Sequence, residues 1–327
     1  MAKIGGTQVA IGIGIEATPG TPVAPTIYPK WSDLSLQAIA EKALFNSARG
    51  IRNMASDSMI RRKYSQGSLG VIANAEVAAY LYGMVLGTVA TASIVDGTYT
   101  HIVTPQNANA SMKAATVVVE QGGEVTERYS NVVANAVNLE VSDEYAKFSA
   151  DLIGGFPDTT TMTESFTQET EFAYHQMTAK FGTSISNADG NSATPLKSLA
   201  ININNNVLMD EAFLSGANTP VAGGFVAGRM QITGSYSLQF DGTTELDKYK
   251  ANTLNALIVQ FEGAVTGGGS TTEKIIFELG KLVLTSPPKE YNIDGLVILT
   301  QEFEVEYDAT DADITVKITN DTDGTDY

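Results

Sequence analysis

The stretch NLEVSDEYAKFSADL, Asn138 to Leu152, decides the fold class. In it Phe148, Ala150 and Leu152 alternate with Lys147, Ser149 and Asp151. A period of two of this kind is a strand with one face in a core and one in water. The run EVEYDATDADITVKI, Glu304 to Ile318, lines up with it 166 residues later. Working outward, Arg62 matches Arg229, Gly67-Ser68 matches Gly234-Ser235, and Tyr82 matches Tyr249, each pair 167 residues apart. Leu34-Ser35-Leu36 aligns with Ile201-Asn202-Ile203 at the same spacing. Solenoid repeats run roughly 20–50 residues, so this period is that of a whole structural unit present twice.

The expected fold is therefore mainly β: a tandem pair of β-sandwich or barrel-forming units, each with one flanking helix. Residues 1–29 read as an N-terminal arm, in which Ile11, Ile13 and Ile15 alternate with Gly12 and Gly14 before the proline-rich ATPGTPVAPTIYP. Such an arm either reaches a neighbour or covers a sheet edge. The first unit is expected over 30–157, a linker over 158–195, the second unit over 196–320, and an acidic tail over 321–327. Residues 41–60 read as a long loop. Asn74 is placed to cap a helix carrying Val77, Tyr80, Leu81, Met84 and Val85. Thr244 and Asp247 form a similar start before Leu246, Tyr249 and Leu254.

The chain has 327 residues, no cysteine and a formal net charge of −17. The length is enough for two ordinary domains, and disulfides and thiolate metal sites are excluded. A charge of that sign opposes binding to nucleic-acid phosphates and anionic lipid. The opening MAKIGGTQVAIGIG lacks the apolar run of a signal peptide. Val77 to Val95 is free of charge, but it is rich in Ala, Thr and Ser and flanked by Glu76 and Asp96, so no membrane segment is expected.

Catalytic apparatus is not apparent. The two histidines, His101 and His175, stand in no metal-ligand spacing and read as structural. No GxSxG, GxGxxG or P-loop pattern occurs. Asp321-Thr322-Asp323-Gly324 is a fragment of a calcium loop without its closing Glu. Glu304, Glu306 and Asp308 share one strand face, which in so acidic a chain reads as solvated surface. No enzyme activity, cofactor or metal is expected. The one basic cluster is Arg49, Arg52, Arg61, Arg62 and Lys63, five of the twenty Lys and Arg within fifteen residues. It serves either as an inter-subunit docking element, complementary to the acidic remainder of another copy, or as a locally salt-bridged loop. Ile11, Ile13 and Ile15 are the other docking candidates.

The run TQVAIGIGIEATPGTPVAP, with its GxExTxGT pattern from Gly14 to Thr21, the following WSDLSL and the doubled unit resemble the major tail tube proteins of long-tailed bacteriophages. The resemblance covers nearly the whole chain. It implies a virion protein, made in the host cytoplasm, whose inner sheets join those of neighbours into a continuous barrel. Stacked rings then form a conduit through which DNA passes without specific binding. It further implies a ring-to-ring loop at about Glu41–Ile60, a bridging arm at about Gly5–Pro29, and tip and terminator proteins as partners. Most members carry one unit and form hexamers. This chain carries two, so the expected ring is three chains with pseudo-sixfold symmetry; the alternative is a homohexamer with one unit lining the bore. The bore is expected to be acidic. A secreted adhesin or surface protein and a two-carboxylate glycosidase are the rival classes.

Overall fold

The computed structural model describes residues 5–45, 57–94, 97–106, 112–166, 170–209, 224–239, 244–252, 255–265, 271–287, 289–290, 298–307, 312–324 and 327. The first half contains β1 (Val9–Ile15), β2 (Trp31–Leu34), β3 (Gln37–Phe45), β4 (Asp57–Ile72), α1 (Ala75–Leu86), β5 (Gly87–Ser93), β6 (Tyr99–Pro105), β7 (Ala115–Gln121), β8 (Val125–Val141), β9 (Lys147–Gly154) and β10 (Asp158–Thr159). The second contains β11 (Met177–Gly182), α2 (Ile185–Gly190), β12 (Ser198–Asn204), β13 (Leu208–Met209), β14 (Phe225–Val226), β15 (Gln231–Gln239), α3 (Thr244–Ala251), β16 (Asn255–Val265), β17 (Thr272–Leu284), β18 (Lys289–Glu290), β19 (Ile298–Val305) and β20 (Ile314–Asn320). The fold is mainly β and every strand pairing is antiparallel.

Two long strands organise the layers. The first part of β8 pairs with β7, and its second part pairs with β9. In the same way β17 pairs first with β16 and then with β19. One layer thus runs β2/β3, β4, β9, β8, β12, β15, β19, β17. Its middle junction, β8 with β12, joins the two halves: Leu199 faces Val141 and Asn204 faces Ala136. A second junction lies between β6 and β20, where Val103 faces Val316.

The pairing scheme of the first half recurs in the second. Ser68 faces Asp151, and Ser235 faces Glu302. Ala115 faces Val132, and Asn255 faces Leu282. Glu140 faces Lys147, and Glu290 faces Ile298. Ile11 faces Val119, and Ala179 faces Val259. These equivalences correct two parts of the sequence alignment. Leu34 opposite Leu69 corresponds to Leu199 opposite Tyr236, so Leu34 aligns with Leu199 rather than Ile201. Strand β9 corresponds to β19, not to β20, because β9 pairs with β4 as β19 pairs with β15. An alternating strand matches another alternating strand at any even shift, so the phase of the alternation cannot fix register.

Helix α1 begins where the Asn74 carboxamide oxygen accepts from the Val77 amide at 2.8 Å, and ends at Gly87, whose φ of 93° suits glycine. Eleven of its twelve residues are buried, all but Glu76. The sequence pattern anticipates one apolar face. The helix is instead surrounded, because strands of both halves, β8, β5, β6, β17 and β20, pack around it. Tyr82 stacks edge-on against Phe148 of the first half and Phe277 of the second, at 5.5 and 5.1 Å. One continuous apolar core therefore spans both halves.

The segments read as arm, linker and tail carry paired or packed residues. Within 1–29, β1 pairs along β7, and Ile13 bridges to Ile27. Within 158–195, β11 pairs with β16 and α2 packs against both. Within 321–327, Tyr327 stacks on Tyr80 and His101, at 5.0 and 4.5 Å. The expected loop at 41–60 is in its described parts the end of β3 and the start of β4, paired from Glu41–Arg62 to Phe45–Asp57. No helix among the described residues is long and apolar enough to cross a membrane.

Candidate assembly surfaces

The eight-stranded layer turns one face to the core and one away. Inward lie Leu69, Phe148, Ala150, Leu139, Ile201, Tyr236 and Phe303, all buried. Alternation puts Ser68, Asp151, Asn138, Asn202, Thr233, Ser235, Glu302 and Glu304 on the opposite face. At its centre that face holds a hollow of about 440 Å³ lined by Asn138, Asn202, Thr233, Ser235, Glu302 and Glu304 among others. The charged residues of the face include Asp33, Glu140, Asp151, Glu302, Glu304 and Glu306 against Lys147, which faces Glu140 across the strands, and Lys281, which pairs with Glu306. Gln231 donates to Glu304 at 3.2 Å, and Ser68 donates to Asp33 at 3.3 Å. The remaining positions are largely Ser, Thr, Asn and Gln, so the face is polar, acidic and free of an aromatic platform.

The basic cluster divides. Arg49 and Arg52 lie outside the described residues. Arg61, Arg62 and Lys63 sit on β4 where it pairs with β3 in a two-stranded arm. Arg62 donates to Glu41 at 2.7 Å, and its guanidinium lies 5.0 Å from the centre of the Tyr64 ring. That hydrogen bond is the largest cause holding the Glu41 carboxyl below its usual pKa. Burial, then the adjacent Glu41 charge, raises the Tyr64 phenol. Lys63 stands 5.0 Å over the Phe156 ring. Farther out, Leu44, Phe45 and Met59 are exposed. The arm therefore carries ion pairs at its root and apolar side chains toward its end. Neither strand face is buried there, which is why no alternation marks it in the sequence.

Ile11 and Ile13 are fully buried in the core of their own chain, and Ile15 is half-buried against it. This corrects their place among docking candidates: in this structure these side chains fill the chain's own interior rather than an outer surface. The Gly14–Thr21 pattern has a local cause. The buried Glu16 carboxylate accepts from the Gly20 amide at 2.6 Å, the Thr116 hydroxyl at 2.8 Å and the Asn131 amide at 2.9 Å. A Cβ on Gly14 would meet the Ala24 carbonyl oxygen at 2.5 Å. The pattern is thus a knot tying β1 and the turn after it to β7 and β8.

His101 is buried at the β6–β20 junction. Its Nδ1 pairs with the Thr91 hydroxyl and its Nε2 with Asn320 Oδ1, both at 2.9 Å. Burial lowers its pKa, opposed by the Asn320 hydrogen bond. His175 lies in a short 3-10 turn, Tyr174–Gln176, rather than in a strand. The Thr91 hydroxyl on His101 is part of this buried strand-to-strand network. Glu306 pairs with Lys281 at 2.8 Å; Asp308 lies outside the described residues.

The chain thus presents a β-scaffold with a broad acidic face and a projecting arm. The family model of the phage tail tube protein matches residues 6–306. The chain belongs to that family, which is not an enzyme family, and it is a structural component of the phage tail. No curated protein matches the sequence.

Proposed function

We propose that the chain is two tube units fused in tandem, that three copies close a ring with pseudo-sixfold symmetry, and that stacked rings form the conduit for DNA delivery. The carrying observation is the β8–β12 junction, which makes eight strands from two halves one continuous layer with a polar outward face. Three such layers supply six repeats of four strands. The polar face, on which acids outnumber lysines, lines the bore. DNA carries one negative charge per about 1.7 Å, and an acidic wall lets it slide without being gripped. The β3–β4 arm, with Leu44, Phe45 and Met59 exposed and Arg61 beside them, docks on the adjacent ring. Tip and terminator proteins cap the stack. Purified chain examined by negative-stain microscopy is expected to form hollow tubes of uniform diameter. Persistence as monomers at high concentration would contradict assembly by this chain.

A further inference from the structure

We infer that neighbouring chains join edge to edge, residues 34–40 of one copy against 285–287 and 289–290 of the next, in the register that β12 and β8 already use inside the chain, and that Pro287 weakens this seam relative to the internal one. The inference rests on the ring reading above.

The chain carries at its two ends the same two edges that it joins in its middle. Strand β12 pairs with β15 as β2 and β3 pair with β4: Ile203 faces Ile232, and Ala38 faces Ser65. Strand β8 pairs with β9 as β17 and β18 pair with β19: Ala134 faces Leu152, and Leu284 faces Phe303. Among the described residues, no strand pairs with β2 and β3 on the edge away from β4, or with 285–287 and 289–290 away from β19. The open edge of β5 has no internal counterpart to set a register. Transferring the internal pairing outward puts Pro287 opposite Ala38, where Val137 faces Ile203, and Ser286 opposite Ile39, where Ala136 faces Asn204.

The internal junction also shows which amides point across it. The Asn205 amide donates to the Asn135 carbonyl at 2.8 Å. Hydrogen-bonded pairs alternate along an antiparallel ladder, so Val137 and Ile203 are such a pair. Pro287, in the place of Val137, has no N–H to offer across the seam. Prolines at a sheet edge also hinder unplanned pairing of free chains. The seam between copies is thus the same junction with one donor removed, suited to form only when the other ring contacts add to it.

The absence of cysteine allows a direct test. Ile39→Cys with Ser286→Cys places two thiols at a non-hydrogen-bonded pair, where Cα atoms are about 4.5 Å apart, within disulfide range. Oxidised tubes of this variant should run on denaturing gels as covalent dimers and closed trimers. Gln37→Cys with Ser286→Cys, two residues out of register, should not crosslink. Assembled tubes with no crosslink, or with more in the shifted pair, would overturn the seam while leaving the ring reading in place. Wild-type protein that never forms rings would overturn both. Pro287→Val, in the cysteine-free chain, restores one hydrogen bond. It should lower the concentration needed for assembly by roughly two- to tenfold; an unchanged or higher threshold would overturn the role of Pro287.

Discussion

The two halves follow one pairing scheme but close their outer layers differently. In the first, the leading part of β8 is flanked by β10, only two residues long, at Glu127 and Arg128. In the second, the equivalent part of β17 is flanked by six pairings with β20. The far edge of β20 is then taken by β6, from a hairpin that the second half lacks. Even the ion pairs reverse: Arg128 binds Asp158 in the first half, and Lys317 binds Glu278 in the second. The copies have become complementary parts. The two halves are therefore not interchangeable, since each closes its outer layer with strands the other does not use.

The comparison can be broken most forcefully at the core. Phe148→Ala and Phe277→Ala each remove an edge-on ring contact with Tyr82, one from each half. Each should cost about 3–5 kcal/mol. If the halves are one cooperative unit, both variants shift a single unfolding transition in calorimetry. Two separated transitions for Phe277→Ala would show that the halves unfold independently. Glu16→Ala tests a feature of the first half alone. It leaves the Gly20 and Asn131 amides and the Thr116 hydroxyl without their acceptor, and should cost about 1–3 kcal/mol in denaturant melts. The β11 entry to the second half has no described carboxylate knot of this kind.

The β6–β20 junction gives a pH-dependent contrast with β8–β12, which contains no histidine. The folded pKa of His101 lies below its unfolded value, so the unfolded chain binds more protons between the two. Its contribution is complete above the unfolded pKa of about 6.5 and is lost as pH falls toward the folded value. Stability should therefore drop as pH falls below about 6.5, and His101→Gln should flatten that slope in urea titrations. The smallest effect is expected at the arm. Arg62→Ala breaks a partly exposed pair with Glu41 and should leave monomer stability in urea melts little changed, while raising the assembly threshold through the displaced arm.

Elements with one wet face were legible in the sequence. Lys147–Gly154 and Ser198–Asn204 alternate cleanly, and Asn74 announces α1. Elements without that contrast were not. The arm of β3 and β4 buries neither face, and β11 sits among polar residues that read as connector. The acidic face could be read as a pattern but not placed, since alternation separates two faces without saying which holds the hollow. The role of Ile11 and Ile13 was missed for a related reason: apolar alternation between glycines fits an outward arm and an inward strand equally, and only the pairing of Ile11 with Val119 decides.

The mass of a single ring tests the threefold arrangement most directly. Mass per unit length from unstained scanning transmission micrographs, combined with the ring spacing, gives the number of chains. Three copies of a 34.6 kDa chain give about 104 kDa per ring. A value near twice that would mean six whole chains per ring and would contradict a ring built from fused pairs.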